Sequence, residues 1–389
     1  MFRKVFFWLH KWLGLITGIV VLIVSLTGCI NVFADELKTF FYRDRLYVTD
    51  TGGGTFRDFS ELRQTAQQAL GADIKVTRAE IYPDGRRNWI FRATLTDKDG
   101  IGYWNYNKYY YRVYVNPYTG KVVYIENTLN EFFQIVLSLH RNLLLGDTVG
   151  GIITGGSSLC FFLLLLSGLV LWFPRKWKRK AFKRGFALKM RVGIKRLIYD
   201  IHNVFGFYII IPGIIISVTG MVFAFEWADK SVQYVANGGT PYQKIKIPLS
   251  SPNPDYNRGA ADSVLKKLLH DHQDADIFSV RFRDKETDPL DVQVRLAKNR
   301  THQFMWYYFD RNTGELLLKY GDQDIRGGQK LRTMNYDLHT GAYSGIPTKL
   351  FYFFVSLICA GLPITGFIMW YNHKGKPAKR TKSPAGRYV

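Results

Sequence analysis

The chain has 389 residues, a formal net charge of +22 and only three cysteines. That length suits two or three domains, and so few cysteines, all at or within apolar stretches, exclude a disulfide framework. The basic excess invites a nucleic-acid reading, which the placement of the charges removes.

Four windows carry no charged residue and exceed the roughly 20 apolar residues of a membrane helix: Trp12–Ala34, Thr148–Pro174, Ile201–Phe225 and Leu350–Asn372. In chain order the sequence divides into a first membrane helix (1–34), a polar domain (35–130), and an interfacial segment with a second membrane helix (131–174). A basic loop (175–200), a third membrane helix (201–227) and a second polar domain (228–335) follow. A second interfacial segment with a fourth helix (336–373) and a basic tail (374–389) complete the chain. The start, the loop and the tail hold 20 of the 53 Lys and Arg with a single acid, Asp200, while the remainder is close to balance. Helices crossing in alternation put these three pieces on one side, the positive-inside pattern. Both termini are expected in the cytoplasm of a bacterial inner-membrane protein, the polar domains outside it, and the partner is lipid bilayer, not nucleic acid.

"LTGC" at Leu26–Cys29 fits a lipoprotein cleavage box behind a basic start and an apolar run. The same helix recurs, however. "HKWLGLITGIVVLIVSLTG" from His10 aligns without gaps to "HNVFGFYIIIPGIIISVTG" from His202, where the box reads "VTGM". Thr-Gly therefore has an architectural role, and the helix is expected to stay as an anchor. "LHRNLLLG" (139–146) likewise matches "LHTGAYSG" (338–345), and "SGLVLW" (167–172) matches "TGFIMW" (365–370). The polar domains echo each other in "YVNPYTGKVV" (114–123) and "YFDRNTGELL" (308–317), two strands around a turn opened by Asn116 or Asp310 and closed by Gly120 or Gly314. Helix-like segments precede them at 61–71 and 261–271. The expected fold is membrane α-helical: four transmembrane helices in two halves related by a pseudo-two-fold axis along the membrane normal, with two extracytoplasmic α+β domains.

Four of the eight histidines occupy matched positions. His10 and His202 fall at the cytoplasmic ends of the first and third helices, His140 and His339 on the outer side ahead of the second and fourth. Two-fold symmetry places one pair at each face, and ionisable groups at membrane depth indicate function. Two opposed imidazoles suit axial ligation of a haem iron, which leaves no open position and favours electron transfer. Two haems per chain are expected. Gly14 and Gly206, at i+4 from their histidines, are expected to leave room for a macrocycle, with Gly18 extending that groove on the first helix. Arg141 and Lys11 are candidates for propionate carboxylates. His373 is an alternative inner ligand; zinc would want a larger cluster. His270, His272 and His302 read as surface residues.

The motifs "LHKWLGLITG", "LHRNLLLG", "SGLVLWFPRKWK", "IHNVFGF" and "LHTGAYSG" together resemble the PepSY-associated transmembrane family of bacterial inner-membrane proteins, and the two hairpins resemble the PepSY module. The resemblance covers the chain to about Lys374. It implies haem b held by membrane histidines and reduction of ferric siderophores. Two rivals are a membrane-anchored regulator without redox chemistry and a siderophore transporter, whose substrate helices are usually interrupted near mid-membrane, with Pro212–Gly213 as a candidate interruption. No Walker motif or G-x-G-x-x-G between strand and helix is present, so electrons are expected from a quinol or a cytoplasmic reductase. The expected acceptor is a ferric siderophore or other ferric chelate, since reduction weakens binding by hard oxygen donors. The aromatic runs at 102–115 and 302–309 offer Trp104, Tyr106 and Trp306 as a substrate platform, although alternating Tyr and Val is also what an amphipathic strand looks like.

Overall fold

The computed structural model describes residues 2–174, 185–242, 245–251, 259–283, 285–298 and 301–372, with the backbone of 373 and 374. The first part of the basic loop, the tail from 375 and the side chain of His373 lie outside the described residues. Along the chain, helix α1 (Phe2–Val32) leads through short helices at Ala34–Phe41 and Arg43–Leu46 to α2 (Phe59–Leu70). Strands β1 (Arg78–Ile81), β2 (Trp89–Thr96), β3 (Asn107–Val115) and β4 (Val122–Asn127) follow. Helices α3 (Phe132–Asn142), α4 (Asp147–Trp172), α5 (Ile194–Tyr208) and α6 (Ile210–Ala224) come next. Then come α7 (Ala260–Asp271), β5 (Ile277–Arg281), β6 (Leu290–Arg295), β7 (Phe304–Phe309) and β8 (Leu316–Gly321). Helices α8 (Asn335–Thr340) and α9 (Ile346–Lys374) close the described chain.

Helices α1, α4 and α9 are each long and apolar enough to cross a membrane. The third predicted window is not one straight helix: α5 and α6 meet at Ile209 with a bend of 66°. Pro212 explains the break, because it lacks an N–H and its ring crowds the carbonyl four residues earlier, at Tyr208. Gly213 still donates to Ile209 O at 2.7 Å, so the turn is closed. The break is packed in an apolar cluster of Leu165, Ile209, Val355 and Cys359.

The two polar segments, expected as two domains, build a single antiparallel sheet of order β4-β3-β2-β1-β5-β6-β7-β8. The seam is the β1–β5 ladder, from Arg78 opposite Arg281 to Ile81 opposite Phe278. Each segment alone would leave its first strand as an open edge; pairing the two edges satisfies both rows of backbone groups. Strand alternation gives an apolar face of Ala79, Ile81, Phe91, Val113, Val280 and Val292, covered by Phe59 and Leu62 of α2 and Leu265 and Leu268 of α7. Ser60 ties α2 to α7, donating from N and Oγ to Asp262 at 2.8 and 2.7 Å. Both hairpin turns form as their residues predict. Asn116 Oδ1 accepts from the Tyr118 and Thr119 amides and Asp310 Oδ1 from those of Asn312 and Thr313, with Gly120 and Gly314 at φ +73° and +77°.

The opposite, polar face is met by the extension of α1. Leu46 packs with Tyr82, Ile90 and Tyr114. Arg45 pairs with buried Glu126 at 3.2 Å, and Tyr42 donates to Glu131 at 2.8 Å. Buried Lys349 of α9 pairs with Glu36 at 2.8 Å. These contacts join the sheet to the apolar helices.

Candidate functional site

The structure brings the matched histidines together as two pairs. The rings of His10 and His202 lie 6.2 Å apart between centroids, and those of His140 and His339 lie 6.0 Å apart. Along α1, His10 and Gly28, beside which His140 sits, are separated by about 27 Å of helix at 1.5 Å per residue.

Each ring is seated on a Ser-Gly or Thr-Gly dipeptide of a neighbouring helix. His10 lies against Ser167–Gly168, and His140 against Thr27–Gly28. His202 lies against Thr365–Gly366, and His339 against Thr219–Gly220. The glycine makes room: a Cβ there would stand 3.3 Å from Cε1 of His10 or His140, 3.4 Å from that of His202 and 3.6 Å from that of His339. The hydroxyl sets the proton. Ser167 donates to Leu164 O at 3.1 Å and Thr219 to Ile215 O at 2.7 Å; Thr365 donates to Gly361 O at 3.0 Å and Thr27 to Ile23 O at 2.7 Å. With its proton committed to the helix, each oxygen accepts from the imidazole. Nδ1–H of His10 and His202 donates to Ser167 and Thr365 at 2.9 Å, and that of His339 to Thr219 at 2.8 Å. His140 Nδ1–H has a second acceptor in Val24 O at 2.8 Å, with Thr27 at 3.2 Å.

All four rings are therefore held in one tautomer, protonated at Nδ1 with a lone pair on Nε2. No described residue hydrogen-bonds any of these Nε2 atoms. Each Nε2 thus keeps an acceptor that no protein group uses and that a metal ion can take; fixing the other ring nitrogen is how proteins orient imidazole ligands. The spacing also fits. With a metal–nitrogen distance of about 2 Å, two imidazoles on opposite sides of one ion put their centroids roughly 6 Å apart. Among the described residues no group of three or more His, Cys, Asp or Glu is placed to share an ion, so each site offers two protein ligands.

Other predicted residues fall elsewhere. Gly14 and Gly206 do not touch the rings; a Cβ on either would meet a leucine, Leu164 or Leu362, at 3.8 Å. Gly18 faces Pro363 of α9, and a Cβ there would lie 3.4 Å from it. Arg141 is exposed and pairs with Asp147 at 3.5 Å, and the Lys11 ammonium lies 4.8 Å over the Trp12 ring. Trp104 is exposed, Tyr106 donates to Asp147 at 3.0 Å, and Trp306 sits on β7, across the sheet from both. The three do not form one platform. Of His270, His272 and His302, only His270 is exposed. His272 is hydrogen-bonded to Tyr307 Oη at 2.7 Å, and His302 meets fully buried Asp337 at 2.6 Å, two residues before His339. Sequence reading missed these pairings because each partner is more than 30 residues away. It had the four Ser/Thr-Gly dipeptides in hand as repeats, without their histidines.

The turn after His140 is tight. Leu143 and Leu144 both adopt positive φ, 53° and 61°, unusual for leucine. A Cβ on Gly150 would overlap Asn142 O. This packing fixes α3 against α4 and so fixes His140.

Fold and site define a multi-pass membrane protein in which an antiparallel β-sheet unit stands over apolar helices that hold two pairs of oriented imidazoles. The chain matches the family model described as PepSY-associated TM region over residues 7–373, and it belongs to that family. No curated protein matches the chain.

Proposed function

We propose that this protein holds two b-type haems and carries electrons across the bacterial inner membrane to reduce a ferric siderophore or similar ferric chelate outside the cytoplasm. The observation that supports it most is the common tautomer of the four seated histidines, which leaves two Nε2 atoms without protein partners in each pair of neighbouring rings. In this reading His10 and His202 hold the inner group, and His140 and His339 the outer one. Haem held by these residues would supply one-electron chemistry. The chain's residues do the rest. Ser167, Thr365, Thr27 and Thr219 orient the ligand rings, and the seat glycines let them lie close to the helices. The surrounding apolar helices exclude water, which favours transfer of electrons over side reactions.

The two halves are, in this reading, related by a pseudo-two-fold axis along the membrane normal. The palindromic strand order and the matched seats support it. Both termini face the cytoplasm, where a reductase or a quinol at the inner face donates. Ferrous product is released because reduction weakens binding by hard oxygen donors.

The test is the visible spectrum of protein purified from haem-replete cells. Two haems per chain with the sharpened reduced bands of six-coordinate low-spin iron are expected on dithionite addition. Colourless protein with an intact sheet would favour a regulator instead.

A further inference from the structure

One row of the sheet's polar face carries an unusual run of charge. Read across the register, Glu126, Arg112, Arg92, Arg78, Arg281 and Asp291 stand directly opposite one another on six successive strands. Four adjacent guanidinium groups in a row are destabilising in a sheet, where like charges directly opposite repel. The outer members are compensated: Arg112 pairs with Glu126 at 3.3 Å, Arg92 with Glu80 at 2.8 Å, and Arg281 with Asp291 at 3.7 Å. Arg283, just past β5, also takes Asp291, at 2.6 Å. Arg78 makes no side-chain hydrogen bond or ion pair among the described residues. Burial, then Arg281 and Arg92, push its guanidinium below its ordinary value.

These residues line an open cleft of about 400 Å³ at the seam between the two half-sheets, with Thr77, Arg78, Arg92, Thr94, Arg281 and Arg283 around it. The volume is that of a small-molecule site. Behind its lining the buried Nε atoms of Arg92, Arg281 and Arg283, and the buried Oδ1 of Asp291, have no hydrogen-bond partner among the described residues. Four guanidinium groups thus face two carboxylates, which leaves the cleft an excess of positive charge.

We propose that this cleft binds a multiply charged carboxylate ligand, and that the ferric chelate reduced by this protein is of the anionic, polycarboxylate class. Guanidinium forks suit carboxylates through paired charge-assisted bonds, and Thr77 and Thr94 add neutral donors at the rim. The class of chelate rests on the reductase reading above; the anion site does not. Retaining an uncompensated Arg78 at a cost in stability is what a functional site does.

The experiment is calorimetric titration of the full-length protein in detergent with gallium(III) citrate, a redox-inert probe, for the wild type, Arg78→Gln and Arg281→Gln. Wild-type binding that weakens as salt rises is expected, with each variant at least about tenfold weaker, the loss of one charge-assisted bond. Arg78→Gln should also unfold at a higher temperature, because it removes repulsion. Absence of wild-type binding, or variants that bind like the wild type, overturns the proposal. So does a lower unfolding temperature for Arg78→Gln, which would make that arginine structural. Citrate-bound iron that binds but is never reduced leaves the anion site standing and removes its assignment as the site of the reduced chelate. Reduction unaffected by both variants leaves the reductase reading standing and removes that same assignment.

Discussion

Each of the four seated histidines gives one nitrogen to the protein and leaves the other without a partner among the described residues. The four seats differ in which acceptor lies nearer, which makes them separable. His10, His202 and His339 bond the hydroxyl at 2.8–2.9 Å, with the carbonyls of Leu164, Leu362 and Ile216 as further partners, while His140 lies nearer to Val24 O, at 2.8 Å, than to Thr27, at 3.2 Å. Losing an outer partner of a metal-bound imidazole typically weakens the metal site by about 10–100-fold. Ser167→Ala and Thr219→Ala are therefore expected to loosen haem by that order at the inner and outer pairs, and Thr27→Ala by clearly less. Haem titration of stripped protein measures all three. Equal losses for Thr27→Ala and Thr219→Ala would show that the hydroxyls do not set the tautomer. Gly168→Ile should empty the inner pair alone, since its Cβ already lies 3.3 Å from His10 Cε1 and two γ-carbons must be added.

At the scale of elements, the sheet's polar face couples stability to pH. Burial works against ionisation of Glu80, but Arg92 and Arg112, with Arg92's hydrogen bond, outweigh it and hold its carboxyl below the usual range. A carboxylate depressed in the folded state contributes stability above its unfolded pKa, about 4.3. That contribution is lost as pH falls through the lower folded value. Unfolding temperature should thus be level in this respect above about pH 5 and decline below about pH 4. Glu80→Gln should remove part of that decline while lowering stability at neutral pH, because Arg92 loses its partner. A pH profile of Glu80→Gln parallel to the wild type would exclude Glu80 as a source of the decline.

At the scale of the molecule, the two histidine pairs make separate demands. His202→Ala should lose the inner haem and retain the outer; His140→Ala should give the converse, because about 27 Å of helix separates the pairs. Haem content of each folded variant decides this, and loss of both haems in each would exclude two independent sites. Topology is a second test. A reporter fused after Arg191 should be cytoplasmic and one after Ser251 extracytoplasmic, as the placement of basic residues predicts; the same side for both would break the four-crossing arrangement.

The sequence by itself determined what repeats and local chemistry carry. Apolar windows marked α1, α4 and α9, turn residues at Asn116–Gly120 and Asp310–Gly314 marked the hairpins, and matched positions singled out four histidines from eight. These signals are local: a window's transfer energy or a turn's backbone angles depend on the residues within it. Only the tertiary structure decided which Ser/Thr-Gly dipeptide seats which histidine, and that the two polar segments close into one sheet through β1 and β5. It also decided that His302 turns inward to Asp337, and that Arg92, Arg78 and Arg281 line up in one row. Each of these joins groups from 14 to more than 200 residues apart. Sequence spacing sets no distance across such gaps; packing and strand register do.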